Sequence, residues 1–192
     1  MKILNAYLQK LEDYWVCLGY ENAGCLRFLT ASKNSREDAL KSGTRWTHGE
    51  KAQPATKAPR SIRSVIESVE DLLHGRPTSV EGRFTLVGLP SFQKKALEVT
   101  SRIPKGKVAT YADVAEEAGN PKAARAVGNA MANNPLPFIV PCHRVVKTDL
   151  SLGGYGFGIQ LKKKILQTEG VGFSKASGEP RVNRRFLHRR RT

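Results

Sequence analysis

The chain is short of cysteine, of acidic residues and of long apolar runs, and each shortage excludes a class of protein. Its 192 residues include three cysteines, an odd and small number that argues against a disulfide framework and for a reducing compartment. No apolar run approaches the roughly 20 residues that span a bilayer, so we expect no membrane segment. Charged Lys10, Glu12 and Asp13 follow the first residues closely, so we expect no secretory signal either.

The shortage of acidic residues gives the chain a strong positive charge. Its 32 Lys and Arg residues against 17 Asp and Glu residues give a formal charge of +15. Such a charge attracts polyanions, either nucleic acid or an anionic membrane surface. Without a membrane segment, the sequence favours nucleic acid.

Two of the cysteines, Cys17 and Cys25, lie in the first part of the chain. They could pair or bind a metal, with His48 and His74 as further ligands. Their spacing is not that of a zinc knuckle, and long intervals separate them from the histidines. We therefore predict two buried, unreactive thiols and no metal site.

Shifts in composition divide the chain into three regions, at residues 1–88, 89–172 and 173–192. Strand-like runs at 14–18, 25–29 and 83–87, with apolar residues at helical spacing over 62–73, predict a small antiparallel sheet with a helix. Residues 32–57 predict a loop with at most a short helix.

The last region, residues 173–192, is polar and basic. Six arginines follow Pro180. Such a composition is typical of a disordered tail, and we expect one here that contacts phosphates without sequence preference.

The middle region has helical periodicity. Ser91 is a candidate N-cap for a helix that ends before Pro104. Thr110 and Asp113 form a capping box that opens a second short helix, and a turn at Gly119 leads to a third over 122–133. Two short helices joined by a glycine-containing turn are typical of a helix-turn-helix. The fold class is therefore α/β, an N-terminal sheet-plus-helix domain followed by a mostly helical one.

The third helix carries a polar face. Lys122, Arg125, Asn129 and Asn133 share this face, which is either a solvated surface or a DNA contact. The positive charge of the whole chain favours DNA contact.

The apolar run at 138–146 contains three reactive groups, Cys142, His143 and Arg144. One interpretation is a buried cysteine beside a surface His–Arg pair. The other is an activated thiolate, because an imidazole can take the proton of a thiol that is mostly un-ionised at neutral pH. His143 would act through a water molecule, and Glu169 is the nearest candidate to orient the imidazole.

Three other chemistries fit the motifs less well. A zinc deaminase needs a second cysteine after the first, and none follows Cys142 closely. A cysteine protease draws its histidine from a distant segment. The glycine-rich run at 154–158 has no surrounding βαβ unit, as a dinucleotide loop would. A pliable loop that closes over a planar base fits this run better.

From Ser91 to Gly170 the chain resembles the catalytic domain of O6-alkylguanine-DNA alkyltransferases, or methylated-DNA–protein-cysteine methyltransferases. The resemblance rests on PKGKVATYADVAEEAG at 104–119, PKAARAVGNAMANNP at 121–135, PCHRVV at 141–146, GGYGFG at 153–158, and Glu169–Gly170. It implies a winged helix-turn-helix-like catalytic domain. It leaves the first third of the chain unassigned.

The resemblance implies a role for each matching residue. Cys142 matches the alkyl acceptor, and His143 matches the base that activates it through water. Glu169 matches the carboxylate that completes the relay with this histidine. Arg125 matches the arginine that fills the gap left by an extruded base, and Lys162 a lysine with a less direct role. Lys122 and Asn129 would contact DNA beside Arg125.

The implied base pocket consists of Tyr111, Asn134, Val145, Tyr155 and Gly156. Tyr111 matches a tyrosine that rotates the nucleotide and protonates guanine N3, and Asn134 a hinge asparagine. Val145 would offer its carbonyl to the exocyclic amine, and Tyr155 lies in the loop that lines the pocket. Gly156 departs from the serine of many relatives, and Phe157 stands where a small residue is common.

The implied activity is a single transfer of an alkyl group from O6 of guanine, and from O4 of thymine, in double-stranded DNA. The resemblance implies no cofactor, a monomer, and a cytoplasmic protein, or a nuclear one in a eukaryote. Two alternatives stay open. A non-reactive homologue that only recognises damage would lack the acceptor thiol, and a thiol-sensing helix-turn-helix regulator would prefer one DNA sequence.

Overall fold

The computed structural model describes residues 4–11, 13–21, 24–76, 78–174 and 179–188. The chain divides into two compact units. The first comprises Met1–Glu70, Val80–Leu89 and Pro135–Ile139, and the second comprises Asp71–Ser79, Pro90–Asn134 and Val140–Thr192. The predicted domain boundary after residue 88 lies one residue before the end of Val80–Leu89, a segment of the first unit. Each unit consists of several separate segments of the chain.

The first unit contains a four-stranded sheet of order β3-β2-β1-β4. Its strands are β1 (Leu4–Leu11), β2 (Tyr14–Glu21), β3 (Cys25–Ser32) and β4 (Gln53–Ala55). The first three pair antiparallel and β4 pairs parallel with β1. The predicted antiparallel sheet is confirmed, and the two helices of this part of the chain are α1 (Arg36–Thr44) and α2 (Arg60–His74).

The core of the first unit is built around Phe28. A side chain at Gly19 would place its Cβ 2.1 Å from the Phe28 ring, and one at Gly43 would place it 2.5 Å away. Both positions must therefore lack a Cβ for the aromatic ring to fit between strand β2 and helix α1. The ring packs in one cluster with Leu4, Ala6, Cys17 and Ala39.

The predicted apolar stripe of α2 is confirmed. Ile62, Val65, Ile66 and Val69 are all buried, at the i, i+3, i+4, i+7 spacing that puts side chains on one helix face.

Two sequence-based expectations for the first unit differ from the structure. Strands β1 and β4 were not expected, whereas the predicted strand at 83–87 is wrong. There, only Phe84 forms a β-bridge, and its partner is Leu26. Leu26 N donates to Arg83 O and Leu26 O accepts from Thr85 N, and these two hydrogen bonds make an isolated bridge rather than a strand.

The second unit is mostly helical, with α3 (Ser91–Ser101), α4 (Tyr111–Glu117), α5 (Ala124–Ala132) and α6 (Ile159–Thr168). Strand β5 (Ala109–Thr110) pairs parallel with β6 (Val145–Val146). The predicted α/β class, a sheet-plus-helix part followed by a helical part, is confirmed.

Helices α4 and α5 form the predicted helix-turn-helix. The capping box is confirmed, since Thr110 Oγ1 accepts from Asp113 N at 3.1 Å and Asp113 Oδ2 accepts from Thr110 N at 2.8 Å. Val127 and Met131 of α5 are buried. The predicted Ser91 N-cap is wrong, because Ser91 is already helical and Pro90 precedes it as the cap without a side-chain hydrogen bond.

The expectation of a disordered tail is wrong for residues 173–174 and for residues 179–188. We call residues 179–188 the C-terminal segment. Val182 is only 2% exposed and joins a core cluster, on which Phe186 and Leu187 also pack. These apolar side chains lie among the arginines that led to the prediction of a solvated tail. The rest of the predicted tail, 175–178 and 189–192, lies outside the described residues.

Within the described ranges, no helix is both long and apolar enough to cross a membrane.

Candidate active site

Cys142 opens a single turn of 3-10 helix, Cys142–Arg144, directly before β6. The Cys142 N–H donates to Val140 O at 2.8 Å. In this conformation Cys142 is buried, with 7% of its surface exposed. Burial raises the pKa of the Cys142 thiol, against the opposing effects of a hydrogen bond with the Asn134 side chain and the charge of Lys162. The resting group is therefore a thiol, and its reaction as a nucleophile requires a base.

His143 and Glu169 lie in direct contact and are both buried. His143 Nε2 lies 3.2 Å from Glu169 Oε1, and the histidine is 1% exposed. Because an ionised carboxylate only accepts hydrogen bonds, Nε2 carries the proton and Nδ1 the lone pair. Among the described residues, Nδ1 has no hydrogen-bond partner. The imidazole can therefore accept a proton at Nδ1.

The protonation states of this pair follow from burial and charge. Burial lowers the pKa of His143, and the hydrogen bond and charge of Glu169 oppose this effect. For Glu169, burial would raise the pKa, but hydrogen bonds from His143 and Arg144 together with their charges hold the pKa at about 2. At neutral pH the pair is a neutral imidazole oriented by a carboxylate, the arrangement typical of a general base.

Arg144 binds the same carboxylate, a contact that the sequence did not reveal. Its Nη2 donates to Glu169 Oε1 at 2.6 Å, and its Nε donates to Glu169 Oε2 at 3.0 Å. Its Nη1 donates to Ile103 O at 2.7 Å, just after helix α3. The interpretation of a surface His–Arg pair is wrong, because Arg144 turns inwards to fix the carboxylate that orients His143. Its place next to His143 was the one available signal.

Lys162 lies fully buried on α6. Its Nζ donates to Val145 O at 2.7 Å and to Leu152 O at 2.5 Å. Burial lowers the pKa of Lys162 to about 8, partly offset by Cys142. Lys162 therefore joins β6 to the segment that leads into the glycine-rich loop at 153–158. The Val145 carbonyl, predicted to receive the exocyclic amine of guanine, already accepts this hydrogen bond and keeps a second lone pair.

Tyr111 and Asn134 lie beside the cysteine. Burial raises the pKa of Tyr111, and a negative charge on nearby Cys142, once it is a thiolate, raises it further. Asn134 Nδ2 donates to Val140 O at 2.9 Å, and its side chain also hydrogen-bonds Cys142. The structure thus brings two predicted pocket residues, Tyr111 and Asn134, together with Cys142.

The glycine-rich loop, which was predicted to line the base pocket, lies against Tyr111. Gly153 has a φ of +67°, and a Cβ there would lie 3.4 Å from the Tyr111 ring, so the loop packs against that ring. The rings of Tyr155 and Phe157 lie 5.6 Å apart and tilted. A Cβ at Gly156 would meet nothing within 4 Å, so the glycine leaves open space at this point of the loop.

The predicted DNA-binding residues lie elsewhere in the same unit. Lys122 precedes α5, and Arg125 and Asn129 lie on it, all three with exposed side chains. They do not belong to the buried cluster around Cys142.

The other two cysteines are free thiols. Cys17 is buried, and burial raises its pKa to about 12. The strand register pairs Cys17 with Thr30 and Cys25 with Glu21 rather than with each other. In the described part of the chain, no group of three His, Cys, Asp or Glu side chains could hold a metal.

These features define a helix-turn-helix protein built around a buried cysteine, with a histidine beside it that a carboxylate orients. A family model described as 6-O-methylguanine DNA methyltransferase, DNA binding domain, matches residues 91–171. The chain is 36% identical over 114 residues to a methylated-DNA–protein-cysteine methyltransferase of Methanothermobacter thermautotrophicus, covering 59% of this chain and 64% of that protein. A Mycolicibacterium paratuberculosis protein of the same name is 36% identical over 59% of this chain and 68% of its own.

Solved structures extend the likeness to most of the chain. A crystal structure of Mycobacterium tuberculosis O6-methylguanine methyltransferase matches with a TM-score of 0.65 and 28% identity, covering 87% of this chain and 93% of that one. The Pyrococcus kodakaraensis O6-methylguanine-DNA methyltransferase matches with a TM-score of 0.59 and 28% identity, over 88% and 100% of the two chains. The chain belongs to the methylated-DNA–protein-cysteine methyltransferase family.

Proposed function

We propose that this protein repairs alkylated DNA by moving the alkyl group from O6 of guanine, or O4 of thymine, onto Cys142. The observation that carries the proposal is the buried thiol of Cys142, followed in the chain by a buried imidazole whose Nε2 is held by Glu169 and whose Nδ1 can accept a proton. The M. tuberculosis relative has also been crystallised in complex with DNA, with a TM-score of 0.63 to this chain. We place the protein in the cytoplasm, or in the nucleus of a eukaryote, as a monomer.

The proposed chemistry is a displacement at carbon. The Cys142 proton passes to His143 Nδ1, through a bridging water, and the thiolate attacks the alkyl carbon. A sulfur–carbon bond forms as the carbon–oxygen bond to guanine breaks, and the electron pair remains on the base. Tyr111 gives a proton to guanine N3 and regains one from protonated His143 through water, and the base exchanges its N3 proton for one at N1 with solvent. The products are S-alkylcysteine and normal guanine, with Tyr111 and His143 neutral again.

Burial of the site makes extrusion of the nucleotide necessary. O6 of a paired guanine lies inside the stack, and flipping it out costs a few kcal/mol. The exposed residues of α5, above all Arg125, would offset that cost by filling the gap and contacting phosphates. The charge of +15 supports the same partner.

The test of the proposed function is a titration with excess duplex DNA that carries labelled O6-methylguanine. A thioether has no easy hydrolytic exit, so we expect transfer to stop at one methyl group per protein molecule. Peptide mass should place that group on Cys142. Product that continues to form beyond one equivalent would show a turning-over catalyst and contradict the proposal. Specific binding to one DNA sequence with no transfer would favour the thiol-sensing regulator.

Arg125→Ala should separate DNA handling from thiol chemistry. Arg125 is exposed on α5, so we expect repair in duplex DNA to slow roughly tenfold, equivalent to about 1.4 kcal/mol. The reaction with free O6-benzylguanine should stay nearly unchanged, because no nucleotide has to be extruded. Arg63→Ala, at an exposed position of α2, is the matched control. Equal losses with both substrates would indicate that Arg125 has a structural role.

A further inference from the structure

The C-terminal segment, residues 179–188, is bound to the second unit through its backbone as well as its side chains. Val182 N donates to Leu150 O at 2.9 Å, and Arg181 O accepts from Ser174 N at 2.8 Å. Further along, Phe186 O accepts from Val108 N at 2.9 Å, and His188 N donates to Val108 O at 2.7 Å. The segment therefore bridges two stretches of chain that are far apart in sequence.

The side chains of the segment complete a core. Val182 is 2% exposed and packs with Val108, Val146, Leu152, Leu166 and Val171, and Phe186 and Leu187 cover this cluster. The ion pair between Arg181 and Asp149, at 3.3 Å, joins two side chains that are each about half exposed, so it adds little. The attachment is mainly apolar and centred on Val182.

Each attachment point leads directly into a wall of the candidate base pocket. Val108 is followed by β5 and by Thr110, the cap that fixes Tyr111 at the start of α4. Leu150 precedes Leu152, whose carbonyl accepts the hydrogen bond from Lys162, and Gly153, which packs against the Tyr111 ring. The segment is thus attached at Val108, shortly before Tyr111, and at Leu150, shortly before the glycine-rich loop.

We propose that the C-terminal segment positions the two walls of the base pocket, Tyr111 and the loop at 153–158, with Val182 as its main anchor. The inference rests on the proposed function. The match to the family's DNA-binding-domain model ends at residue 171, before this segment begins. Val182 and Leu187 are positioning residues, because they act through the walls and not on the reacting atoms.

The experiment compares two reactions of Cys142 in a Val182→Ala variant. One is transfer from duplex DNA that contains O6-methylguanine, which needs the base pocket. The other is alkylation by iodoacetamide, which needs the activated thiol but neither Tyr111 nor the loop. Small misplacements of substrate-positioning groups cost large factors, so we expect the first rate to fall roughly tenfold and the second to stay within about twofold.

The matched control is Val69→Ala, which removes the same atoms from a buried valine of α2 in the first unit. Rates are compared where the near-ultraviolet circular dichroism of each variant equals that of the wild type. If Val182→Ala does not fold, Leu187→Ala repeats the test, since its side chain is only partly buried.

Several outcomes would overturn the inference. If Val182→Ala and Val69→Ala slowed alkyl transfer equally, the loss would be explained by a less stable fold and not by positioning of the pocket walls. Equal slowing of both reactions would mean that the segment acts on Cys142 itself, and an unchanged transfer rate would mean that it positions nothing. Wild-type protein that reacts with iodoacetamide but not with methylated DNA would overturn the proposed function first, and this inference with it.

Discussion

We expect Cys142→Ala to abolish alkyl transfer while binding to alkylated duplex DNA persists or becomes tighter. The sulfur is the atom that forms the new bond, and alanine offers no nucleophile in its place. The helix-turn-helix and the exposed face of α5 do not depend on the thiol, so the variant should still extrude and hold the base. The measurement is label transfer to protein, together with a binding titration on the same duplex.

Cys25→Ala is the matched control for that experiment. Cys25 lies in the first unit, away from the predicted site residues in the sequence, and is a free thiol, so we expect its removal to leave transfer unchanged. The third thiol, Cys17, is buried and its pKa is raised to about 12, which leaves it without a useful thiolate fraction. Residual transfer in Cys142→Ala, with the label on Cys17 or Cys25, would refute the assignment of the acceptor.

We expect Glu169→Gln to reduce both the transfer rate and the stability of the fold. Without the carboxylate, His143 loses the charge that stabilises its protonated form, so the rate should fall roughly 100-fold. The pKa of Glu169 drops from an ordinary 4.5 to about 2 in the folded protein. That difference corresponds to about 3 kcal/mol of stability at pH 7, which the variant should lack.

The pH dependence of stability separates this effect from simple loss of packing. Because the folded-state pKa lies below the unfolded-state value, the ionised carboxylate stabilises the fold at pH values above about 4.5. The stabilisation is lost as the pH falls towards 2. The difference in unfolding free energy between wild type and Glu169→Gln should therefore shrink between pH 5 and pH 2. Glu98→Gln, at a half-exposed carboxylate of α3, is the control, and a difference that stays constant with pH would contradict the expectation.

Local signals in the sequence predicted the parts of the fold that depend on local physics. The Thr110–Asp113 capping box is a contact between residues three apart, so its pattern alone places the start of α4. The buried stripe of α2 follows from helical periodicity in the same way. Ser91 shows the limit of such signals, because the same residue type serves as a cap or as a first helical residue depending on where the chain turns.

The features that the sequence did not predict depend on contacts between distant residues. Strand β1 alternates Leu4, Ala6 and Leu8 before polar residues interrupt the pattern, and it is defined by its pairing with β2 and β4. Val182 lies among arginines, and only its distant partners Val108 and Leu152 show that it belongs to a core.

The candidate site divides along the same line. The sequence pointed to Cys142, His143 and Glu169 together, because the motif and the family resemblance carry all three. It did not reveal that Arg144 binds the same carboxylate. A guanidinium next to a histidine in sequence can point to solvent or into the protein. Arg144 points inwards because it hydrogen-bonds Glu169 and the Ile103 carbonyl, and both residues are distant from it in sequence.

The shared carboxylate also bears on how this protein tolerates mutation. Glu169 has two separate partners, His143 and Arg144, and Arg144 binds both of its carboxylate oxygens. If a substitution removed the imidazole of His143, the buried carboxylate would still be neutralised and hydrogen-bonded, so the fold would not carry an isolated charge. The same holds for the loss of the thiol, which is uncharged at rest. Under the proposed function, a single change at residue 142 or 143 would therefore remove reactivity while the folded scaffold survives. A repair protein built in this way would be one mutation away from a protein that recognises damage and leaves it in place.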